Sequence, residues 1–366
     1  MRIGLISADF APNVGGVAAH VVELGTTLSK LGHEVHVITL PLGGARERIS
    51  SWRGMTVHRP HIPKAKPFYS WLLHRWIVKF LNRNKLDILH VHGLRPLEAT
   101  RNLPIPVLFT NHTSGFLKRI QKGSAERSRM GIRLSHVVHI LAPSEELCEA
   151  SRKAGYNGPI TFIPNGVDAD RFSPGIGNLR SRLNIPSTHI IVLLARRLVE
   201  KNGVVVFAEA TTQLHDLPIT LLFAGTGPEQ SRVESILRKN GLFERAIFLG
   251  NIDNSEMPMV YNSADISVLP SFMEATSITG LESMACGLPL VGTCVGGIPD
   301  LIDDEKTGLL VEPANPEILG NAIKRLAIDE ELRKALGNNA RRRAEQKFSW
   351  EKIARDTVSI YRQHEQ

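Results

Sequence analysis

The sequence contains few cysteines and no long apolar run. Its three cysteines, Cys148, Cys286 and Cys294, are odd in number and lack the spacing of metal ligands. We therefore expect reduced, mostly buried thiols in a cytoplasmic protein. No apolar run approaches the length of a transmembrane helix, and the apolar start of the chain reaches Asp9 within nine residues. This start predicts a first β-strand rather than a signal peptide.

Length and charge narrow the class of protein further. At 366 residues the chain is too long for one compact core of the usual size, so two domains are expected. A composition with 42% hydrophobic and 22% charged residues is typical of a globular protein rather than a disordered one. The net charge of +8 favours anionic partners, and a nucleotide, an anionic membrane surface and nucleic acid fit it equally well.

The first forty residues have the pattern of a strand, a glycine turn, a helix and a second strand. Apolar runs predict strands at 2–8 and 34–40, and Gly32 ends the helix between them. This is the opening of a Rossmann-like domain. Gly15 and Gly16 lie at the start of that helix, where backbone N–H groups can approach an anion. The Gly-x-Gly-x-x-Gly fingerprint is absent, which weakens the case for an NAD cofactor.

The alternation of strands and helices continues through both halves of the chain. A Pro-Asn-Gly turn at 164–168 has the chemistry of a hinge between them. Two Rossmann-like α/β domains are therefore predicted. Further predicted strands are 87–91, 107–111, 137–142, 160–163, 190–195, 220–224, 246–250, 264–269, one that begins at Leu290, and 307–311. Predicted helices lie near 70–83, 94–101 and 145–154, from Pro316, from Glu330, and from 350 to about 364.

One segment, 46–85, differs from the rest in composition. Its basic residues are opposed only by Glu47, and aromatic residues are interleaved among them. Such a mixture fits a peripheral membrane surface, a nucleic-acid patch or an anionic acceptor site, and equally a solvated basic face over core aromatics. A second basic run at 118–133 favours an anionic or lipid-bound acceptor. The basic and aromatic residues of the first segment are Arg46, Arg48, Arg53, Arg59, Lys64, Lys66, Arg75, Lys79, Arg83 and Lys85, with Trp52, Phe68, Tyr69, Trp71, Trp76 and Phe80.

Three histidines lie at the ends of predicted strands. His90 and His92 flank Val91 and share one face of their strand. Two histidines at this spacing can bind a metal ion, but no carboxylate or cysteine nearby completes a ligand set, so no metal site is predicted. His112 lies just beyond the carboxyl end of a strand, where ligands of open α/β sheets bind. A structural role is the alternative for this residue.

A strand–loop–helix unit in the second half is the most informative part of the chain. The apolar run 266–269 predicts a buried strand, and a polar loop then leads to a helix that begins near Ser277 or Thr279. Glu274 in the loop and Glu282 in the helix are separated by seven residues, so both carboxylates can face one ligand without touching. The alternatives are a solvated Glu274 and a capping box that ties Glu282 to a helix start at Thr279.

Cations and glycines follow the neighbouring predicted strands. Arg196 and Lys201 come after 190–195, and cations at the carboxyl end of a parallel strand are well placed to bind phosphates. Gly225 and Gly227 follow the next strand and lead into a helix. A charged loop end without a ligand is the alternative for the two cations.

Residues 272–297 closely resemble the donor-sugar signature of the retaining glycosyltransferases of family four, which have the GT-B fold. That signature is a glutamate, seven residues and a second glutamate, followed by a small-residue helix, a Gly-x-Pro turn and a Gly-Gly-x-Pro segment. Here the last two parts are Gly287-Leu288-Pro289 and Gly296-Gly297-Ile298-Pro299. The hinge at 164–168 and the glycine turn at 13–17 are also similar to those of the family.

The resemblance implies two Rossmann-like domains that face each other across a central cleft. Residues 1–165 would bind the acceptor, 166–349 would bind the nucleotide-sugar donor, and a helix at 350–366 would pack back on the first domain. The implied enzyme is a hexosyltransferase that moves a sugar, with retention, from a nucleotide diphosphate (UDP by default) to an acceptor hydroxyl, such as that of a lipid-linked or anionic glycan precursor. It would work in the cytoplasm or on the inner face of the membrane, and nucleic acid is not an expected partner. The resemblance implies a metal-independent enzyme, so no metal or other cofactor is expected.

The resemblance also implies roles for single residues. Arg196 and Lys201 would hold the donor diphosphate, Glu274 would orient the sugar, and His112 would lie beside it. Glu282 would bind the ribose hydroxyls. The implied donor-binding set is Gly15, Gly16, Arg196, Lys201, Gly225, Gly227, Glu274, Ala275, Thr276, Ser277, Ile278 and Glu282. The run Ala275-Thr276-Ser277 replaces a Gly-Phe-Gly that is common in the family, which leaves the identity of the sugar open.

Two other functional classes remain open at this point. A sugar-nucleotide 2-epimerase shares the architecture but isomerises its substrate without an acceptor. A non-enzymatic module that binds anions or a membrane surface would use the basic segments and would leave the donor-type motifs without a role.

Overall fold

The chain folds into two compact units. Unit 1 comprises Met1–Asn165 and Trp350–Gln366, and unit 2 comprises Gly166–Ser349. The structure is a computed structural model, and the residues it describes are 1–12, 15–41, 48–63, 68–112, 114–274 and 276–365. Within those residues, no helix combines the length and the apolar character that crossing a membrane requires.

Unit 1 is built on a mainly parallel sheet. Its strands are β1 (Arg2–Ser7), β2 (Glu34–Ile38), β3 (Arg48–Trp52), β4 (Met55–Arg59), β5 (Ile88–His92), β6 (Val107–Thr110), β7 (His139–Ala142) and β8 (Ile160–Phe162). Their order in the sheet is β3-β4-β2-β1-β5-β6-β7-β8, and only the β3–β4 pair is antiparallel. The chain leaves β1 toward β2 on one side and later returns to its other side with β5. The sheet therefore has a topological switch point between β1 and β5.

The helices of unit 1 connect these strands. They are α1 (Gly16–Lys30), α2 (Phe68–Leu81), α3 (Leu94–Leu97), α4 (Ser114–Ile120), α5 (Ser124–Leu134) and α6 (Glu145–Lys153).

Unit 2 has a wholly parallel sheet of six strands. They are β9 (Ile190–Ala195), β10 (Ile219–Ala224), β11 (Ala246–Gly250), β12 (Ile266–Leu269), β13 (Leu290–Thr293) and β14 (Gly308–Val311). The order is β11-β10-β9-β12-β13-β14, so the switch point lies between β9 and β12. The helices are α7 (Leu179–Arg182), α8 (Val204–Ala210), α9 (Gln230–Lys239), α10 (Met257–Tyr261), α11 (Ile278–Ala285), α12 (Ile298–Leu301), α13 (Pro316–Ile328) and α14 (Glu330–Phe348).

The central strand β9 is continuously apolar because both of its faces are buried. Ile191 and Leu193 face one apolar core, whereas Val192 and Leu194 face another on the opposite side of the sheet. A parallel strand covered by helices on both faces buries successive side chains in opposite directions, so both sets must be apolar.

The last helix, α15 (Trp350–Arg362), belongs to unit 1. It packs against α1, and its apolar residues join a core formed with β1 and β2. The Tyr361 hydroxyl also lies 2.6 Å from Nδ1 of His90 on β5. These apolar residues are Trp350, Ile353, Ala354, Val358, Ile360 and Tyr361.

Most elements lie where the sequence predicts them. β9 and β11 have the predicted bounds, and the ends of the other predicted strands move by at most two residues. The predicted helix at 94–101 is instead α3 followed by a 3-10 turn at Glu98–Thr100, because the chain becomes extended at Arg101. Gly32 and Gly287 have the left-handed φ angles expected after a helix, 87° and 81°.

The β3–β4 hairpin is not predicted from the sequence. Every residue of β3 is exposed, so the strand lacks the alternation of buried and exposed residues that marks a half-buried strand. The two strands are joined by Arg53 and Gly54, which have φ angles of 47° and 84°. Two such residues in succession make the tight turn that suits a hairpin.

Candidate functional site

In unit 2 the loops after β9 and β12 lie side by side, since these strands are neighbours. The loop after β12 also hydrogen-bonds to its surroundings: the N–H of Phe272 donates to the carbonyl of Lys201 at 2.9 Å, and the hydroxyl of Thr293 donates to the carbonyl of Ser271 at 2.7 Å. These bonds hold one continuous polar edge at the switch point of the sheet, where ligands of open α/β sheets bind.

Arg196 and Glu274 meet at this edge. The guanidinium of Arg196 forms an ion pair with the carboxylate of Glu274 and donates a second hydrogen bond to the hydroxyl of Ser271. The side chains of Arg196 and Glu274 are only 11% and 15% exposed. The sequence predicts one ligand contact for each residue, on the diphosphate and on the sugar; the structure places the two side chains in contact with each other. The alternative of a solvated Glu274 is therefore wrong.

Lys201 lies in the short turn Glu200–Asn202 that follows the β9 loop. Its side chain is exposed, although its carbonyl is bonded to the β12 loop. Arg197, the residue after Arg196, is also exposed and does not share in the buried pair. The two neighbouring arginines therefore have different environments, which makes Arg197 a natural control for Arg196.

Gly225 and Gly227 allow the loop after β10 to approach the loop after β9. A Cβ at Gly225 would lie 2.2 Å from the carbonyl oxygen of Arg196, and one at Gly227 would lie 2.1 Å from that of Leu198. Gly225 also has a φ angle of 138°. These glycines thus have a packing reason to be glycine, and they hold the backbone beneath Arg196 in place.

The start of α11 adds backbone N–H groups to the same region. The hydroxyl of Ser277 accepts a hydrogen bond from the N–H of Gly280 at 3.1 Å and caps the helix. Thr276 and Ser277 are buried, Ile278 is half-buried, and Ala275 lies outside the described residues. The capping-box alternative for Thr279 and Glu282 is wrong, because the helix is capped two residues earlier and the Glu282 carboxylate has other partners.

Glu282 is buried beneath this edge. Its carboxylate accepts hydrogen bonds from the Tyr261 hydroxyl at 2.9 Å and from the Asn254 amide at 3.3 Å. Burial raises the pKa of Glu282 to about 7, and the two hydrogen bonds oppose that rise. Burial and the neighbouring carboxylate also raise the pKa of Tyr261 well above its usual value. Glu282 and Glu274 thus have different hydrogen-bond partners, and whether both face one ligand stays a prediction.

The predicted glycines of unit 1 lie at the start of α1. Gly15 precedes the helix and Gly16 begins it, and both are exposed. Gly15 has an extended backbone, and no heavy atom of the described residues would lie within 4 Å of a Cβ built on it. Open space above the first N–H groups of a helix is compatible with an anionic ligand. Residues 13 and 14 of the predicted turn lie outside the described residues.

His112 follows β6 in unit 1 and contacts other histidines. Its Nε2 lies 2.9 Å from Nδ1 of His92, and its ring centroid lies 4.4 Å from that of His20. Burial lowers the pKa of His20 to about 4 and lowers those of His92 and His112 well below the usual value. His90 shares its strand face with His92 as predicted, but its two nitrogens contact Tyr361 and Thr110.

The basic segment of unit 1 divides between core and surface. Tyr69 and Phe80 are buried, as the alternative of core aromatics under a basic face requires. Trp52, Phe68 and Trp71 are instead 40%, 62% and 54% exposed. α2 thus has an apolar face toward the core and further aromatic residues on its solvent side, beside Arg75 and Lys79. Arg46, Lys64 and Lys66 lie outside the described residues.

Several residues of these sites carry no local sequence signal. Ser271, Asn254 and Tyr261 complete the surroundings of Arg196 and Glu282 through contacts between residues far apart in the chain. His20 lies in the middle of α1 and approaches His112 only in the folded unit. A search for polar residues within apolar helical segments would have singled out His20 and Tyr261, without naming their partners.

Two family models match the chain. The Glycosyl transferases group 1 model matches residues 176–343, and the Glycosyltransferase Family 4 model matches residues 14–171. The chain is 28% identical to a D-inositol 3-phosphate glycosyltransferase of Paenarthrobacter aurescens, over 96% of the chain and 94% of that protein. It is 29% identical to an N-acetyl-alpha-D-glucosaminyl L-malate synthase of Bacillus anthracis, with the same two coverages of 96% and 94%.

Solved structures have the same fold. A sucrose-phosphate synthase from Thermosynechococcus elongatus superposes with a TM-score of 0.84 at 26% identity. The similarity covers 99% of this chain and 98% of that one. The sequence motifs and the fold therefore point to the same group of proteins.

Proposed function

The chain belongs to the group 1 glycosyltransferases, of the family 4 type, and has the GT-B fold; from this we propose the reaction that it catalyses. We propose that it transfers a hexosyl group from a nucleoside-diphosphate sugar to an acceptor hydroxyl with retention of the anomeric configuration. The observation that carries the proposal is the partly buried Arg196–Glu274 pair between β9 and β12, beside the start of α11.

Arg196 and Lys201 act on the leaving group in this proposal. Cleavage of the sugar–phosphate bond leaves negative charge on the departing diphosphate, and fixed cations stabilise it most strongly in a partly buried site. A guanidinium has five N–H donors, so Arg196 can bind a phosphate while it holds Glu274 and Ser271. The exposed Lys201 and the first N–H groups of α11 add further positive charge. The diphosphate then needs no divalent metal ion.

Glu274 positions the sugar. Its pairing with Arg196 fixes the carboxylate, which can then accept hydrogen bonds from the hydroxyl groups of a hexose. Glu282 lies deeper, and in this proposal it receives the ribose hydroxyls together with Asn254. We propose UDP as the nucleotide to test first. Because ring hydroxyls distinguish the hexoses, the loop that contains Glu274, Thr276 and Ser277 would select among them.

Unit 1 supplies the acceptor side of the proposed reaction. In this proposal the exposed glycines at the start of α1 bind an anionic part of the donor, and His112 lies beside the sugar. We favour attack by the acceptor on the same face as the departing diphosphate, since a phosphate oxygen can take the proton of the attacking hydroxyl. This assignment needs no further general base in either unit.

An anionic acceptor fits the basic segments best. Arg75 and Lys79 on α2 and Lys118, Arg119 and Arg129 on α4 and α5 are exposed. The names of the two relatives each contain an anion, inositol 3-phosphate in one and L-malate in the other. If the acceptor's anion is the headgroup of a lipid, the exposed Phe68 and Trp71 would place the enzyme at the inner face of the membrane.

The test is the release of nucleoside diphosphate from a panel of nucleotide sugars, without acceptor or added metal, in four proteins: the wild type, Arg196→Ala, Glu274→Ala and Arg197→Ala. We expect slow release from one donor. The first two variants should lose it by about 100-fold or more, and Arg197→Ala should retain it because Arg197 lies outside the buried pair.

Two outcomes would contradict the proposal. One is the absence of binding and release for every donor in a folded protein. The other is conversion of the nucleotide sugar into its 2-epimer, which would indicate an epimerase instead.

A further inference from the structure

A cluster of three histidines in unit 1 has features that the proposed transfer reaction does not use. His20 comes from α1, His92 ends β5 and His112 follows β6. One ring nitrogen from each residue lies within 4.8 Å of one from each of the other two. The ring centroids are 4.4 to 5.4 Å apart. Three imidazoles from three separate segments therefore converge on one point.

The hydrogen bonds of the cluster leave ring nitrogens available. Nδ1 of His20 lies 2.7 Å from Oδ1 of Asn165 and donates to it, so Nε2 of His20 carries the unshared electron pair. Nδ1 of His92 contacts Nε2 of His112 at 2.9 Å. Nε2 of His92 is buried and has no hydrogen-bond partner among the described residues. The same is true of the side-chain amide of Asn111, next to His112. Buried polar atoms without partners are rare and call for a ligand or an ordered water.

We propose that His20, His92 and His112 bind a divalent transition-metal ion of the Zn²⁺ class. Imidazole is a preferred ligand of Zn²⁺, Co²⁺, Ni²⁺ and Cu²⁺, whereas Mg²⁺ and Ca²⁺ prefer oxygen. The Asn165 contact is the kind of second interaction that orients a metal-binding histidine. Three protein ligands leave a fourth tetrahedral position for water or another small ligand.

The ring nitrogens of the three histidines lie slightly farther apart than the ligands of a bound ion would. With Zn–N bonds of about 2.0–2.1 Å, tetrahedral ligand atoms lie about 3.3 Å apart. Ring rotations that move each nitrogen by about 1 Å bring the three nitrogens to this spacing. Ligation by Nε2 of His112 would replace its present contact with Nδ1 of His92. His20 and His92 are already buried in unit 1 and His112 is half-buried, so little further ordering of the three side chains is needed.

One consequence rests on the proposed function. If His112 lies beside the sugar during transfer, a metal ion bound to its ring nitrogen would prevent the imidazole from contacting the sugar. Zn²⁺ would then inhibit transfer, and a chelator would restore it. The site is thus an inhibitory one, separate from the diphosphate-binding cations of unit 2.

The experiment uses the full chain, without an affinity tag and stripped with a chelator. Co²⁺ is titrated and its visible absorption recorded. We expect the intense bands of tetrahedral Co²⁺ at one equivalent, displaced by Zn²⁺ and unchanged by Mg²⁺. His20→Ala and His92→Ala should each weaken binding by about 100-fold or more. His61→Gln, which replaces an exposed histidine of the same unit, should bind as the wild type does.

A second measurement identifies the ligands without any variant. Histidine ¹⁵N spectra of the wild-type protein with Zn²⁺ should show three ring nitrogens shifted by the metal. Three results would overturn the proposal. They are no binding at micromolar metal, binding that is unchanged in both His20→Ala and His92→Ala, and spectra in which the metal shifts the signals of other histidines. These readouts do not involve transfer, so the metal site and the proposed function can fail independently.

Discussion

At the scale of single residues, the polar edge at the switch point of unit 2 combines charged groups whose burial would be unfavourable if each were alone. Arg196 and Glu274 are both mostly buried, and each offsets the desolvation of the other. Among the described residues, the carboxylate of Glu282 accepts hydrogen bonds from two neutral groups, and the charge of Arg171 opposes the rise of its pKa. The two carboxylates therefore differ in environment, and a test can address each one separately.

The buried Glu282 predicts a pH dependence of stability. Its pKa is raised to about 7 in the folded protein, above the ordinary value of 4.5, so the folded state binds a proton that the unfolded state has lost. Stability from this residue is present below pH 4.5 and is lost as pH rises through 7. Relative to Glu282→Gln, the wild type should lose about 3 kcal/mol of unfolding free energy across that window.

The measurement is denaturant unfolding of both proteins by far-UV circular dichroism at several pH values. All four tryptophans, Trp52, Trp71, Trp76 and Trp350, are in unit 1, so their fluorescence would not report on Glu282. A difference between the two proteins that does not change with pH would contradict the assignment of a raised pKa.

Gly296 provides a second test at the residue scale. Its φ angle is 53°, and a Cβ there would lie 1.7 Å from the carbonyl oxygen of Glu274. Gly296→Ala should displace the loop that holds Glu274 and lower donor cleavage by about 100-fold in a folded protein. Gly250→Ala is the matched control, because Gly250 has a φ angle of 71° but an open space around its Cβ position.

The control should lose about 1 kcal/mol of stability from backbone strain, with donor cleavage within a few-fold of wild type. Equal cleavage by the two variants would show that the approach of Gly296 to Glu274 does not position the carboxylate.

At the scale of elements, the sequence predicts the helices and strands whose hydrophobic pattern is the same along their whole length. β9 and β11 have the predicted bounds, because a buried parallel strand is a continuous apolar run. The exposed β3 follows no such rule, and only the turn at Arg53 and Gly54 marks it. The residues of the candidate site likewise fall into those that the sequence predicts and those that it does not. Arg196 and Glu274 belong to local motifs, whereas Tyr261 reaches Glu282 through tertiary packing that no local pattern encodes.

The α15 helix carries a prediction about this packing. Deletion of residues 350–366 removes six apolar residues from the core of unit 1 and leaves Nδ1 of His90 without the Tyr361 hydroxyl. We expect unit 1 to lose its cooperative unfolding transition, read from the remaining tryptophans. A truncated chain with an unchanged fluorescence transition would mean that the core of unit 1 does not need α15.

At the scale of the whole molecule, the net charge of +8 and the exposed aromatics of α2 predict salt-dependent binding to anionic vesicles. Co-sedimentation should decrease several-fold in a Phe68→Ser, Trp71→Ser double variant. Ile328→Ser, which replaces an exposed apolar residue of unit 2, is the control and should sediment as the wild type does. Equal binding of all three proteins would show that Phe68 and Trp71 do not anchor the chain, and absence of binding would favour a soluble anionic acceptor.

The central claim is that the partly buried Arg196 of unit 2 binds the donor diphosphate. The most direct test is calorimetric titration of UDP, with ADP and GDP as alternatives, into wild type, Arg196→Ala and Arg197→Ala. We predict that one nucleotide binds the wild type and Arg197→Ala with affinities within a few-fold of each other, and Arg196→Ala roughly 100-fold more weakly. Equal affinities for the two variants would contradict the claim, because the buried pair between β9 and β12 would then have no part in nucleotide binding.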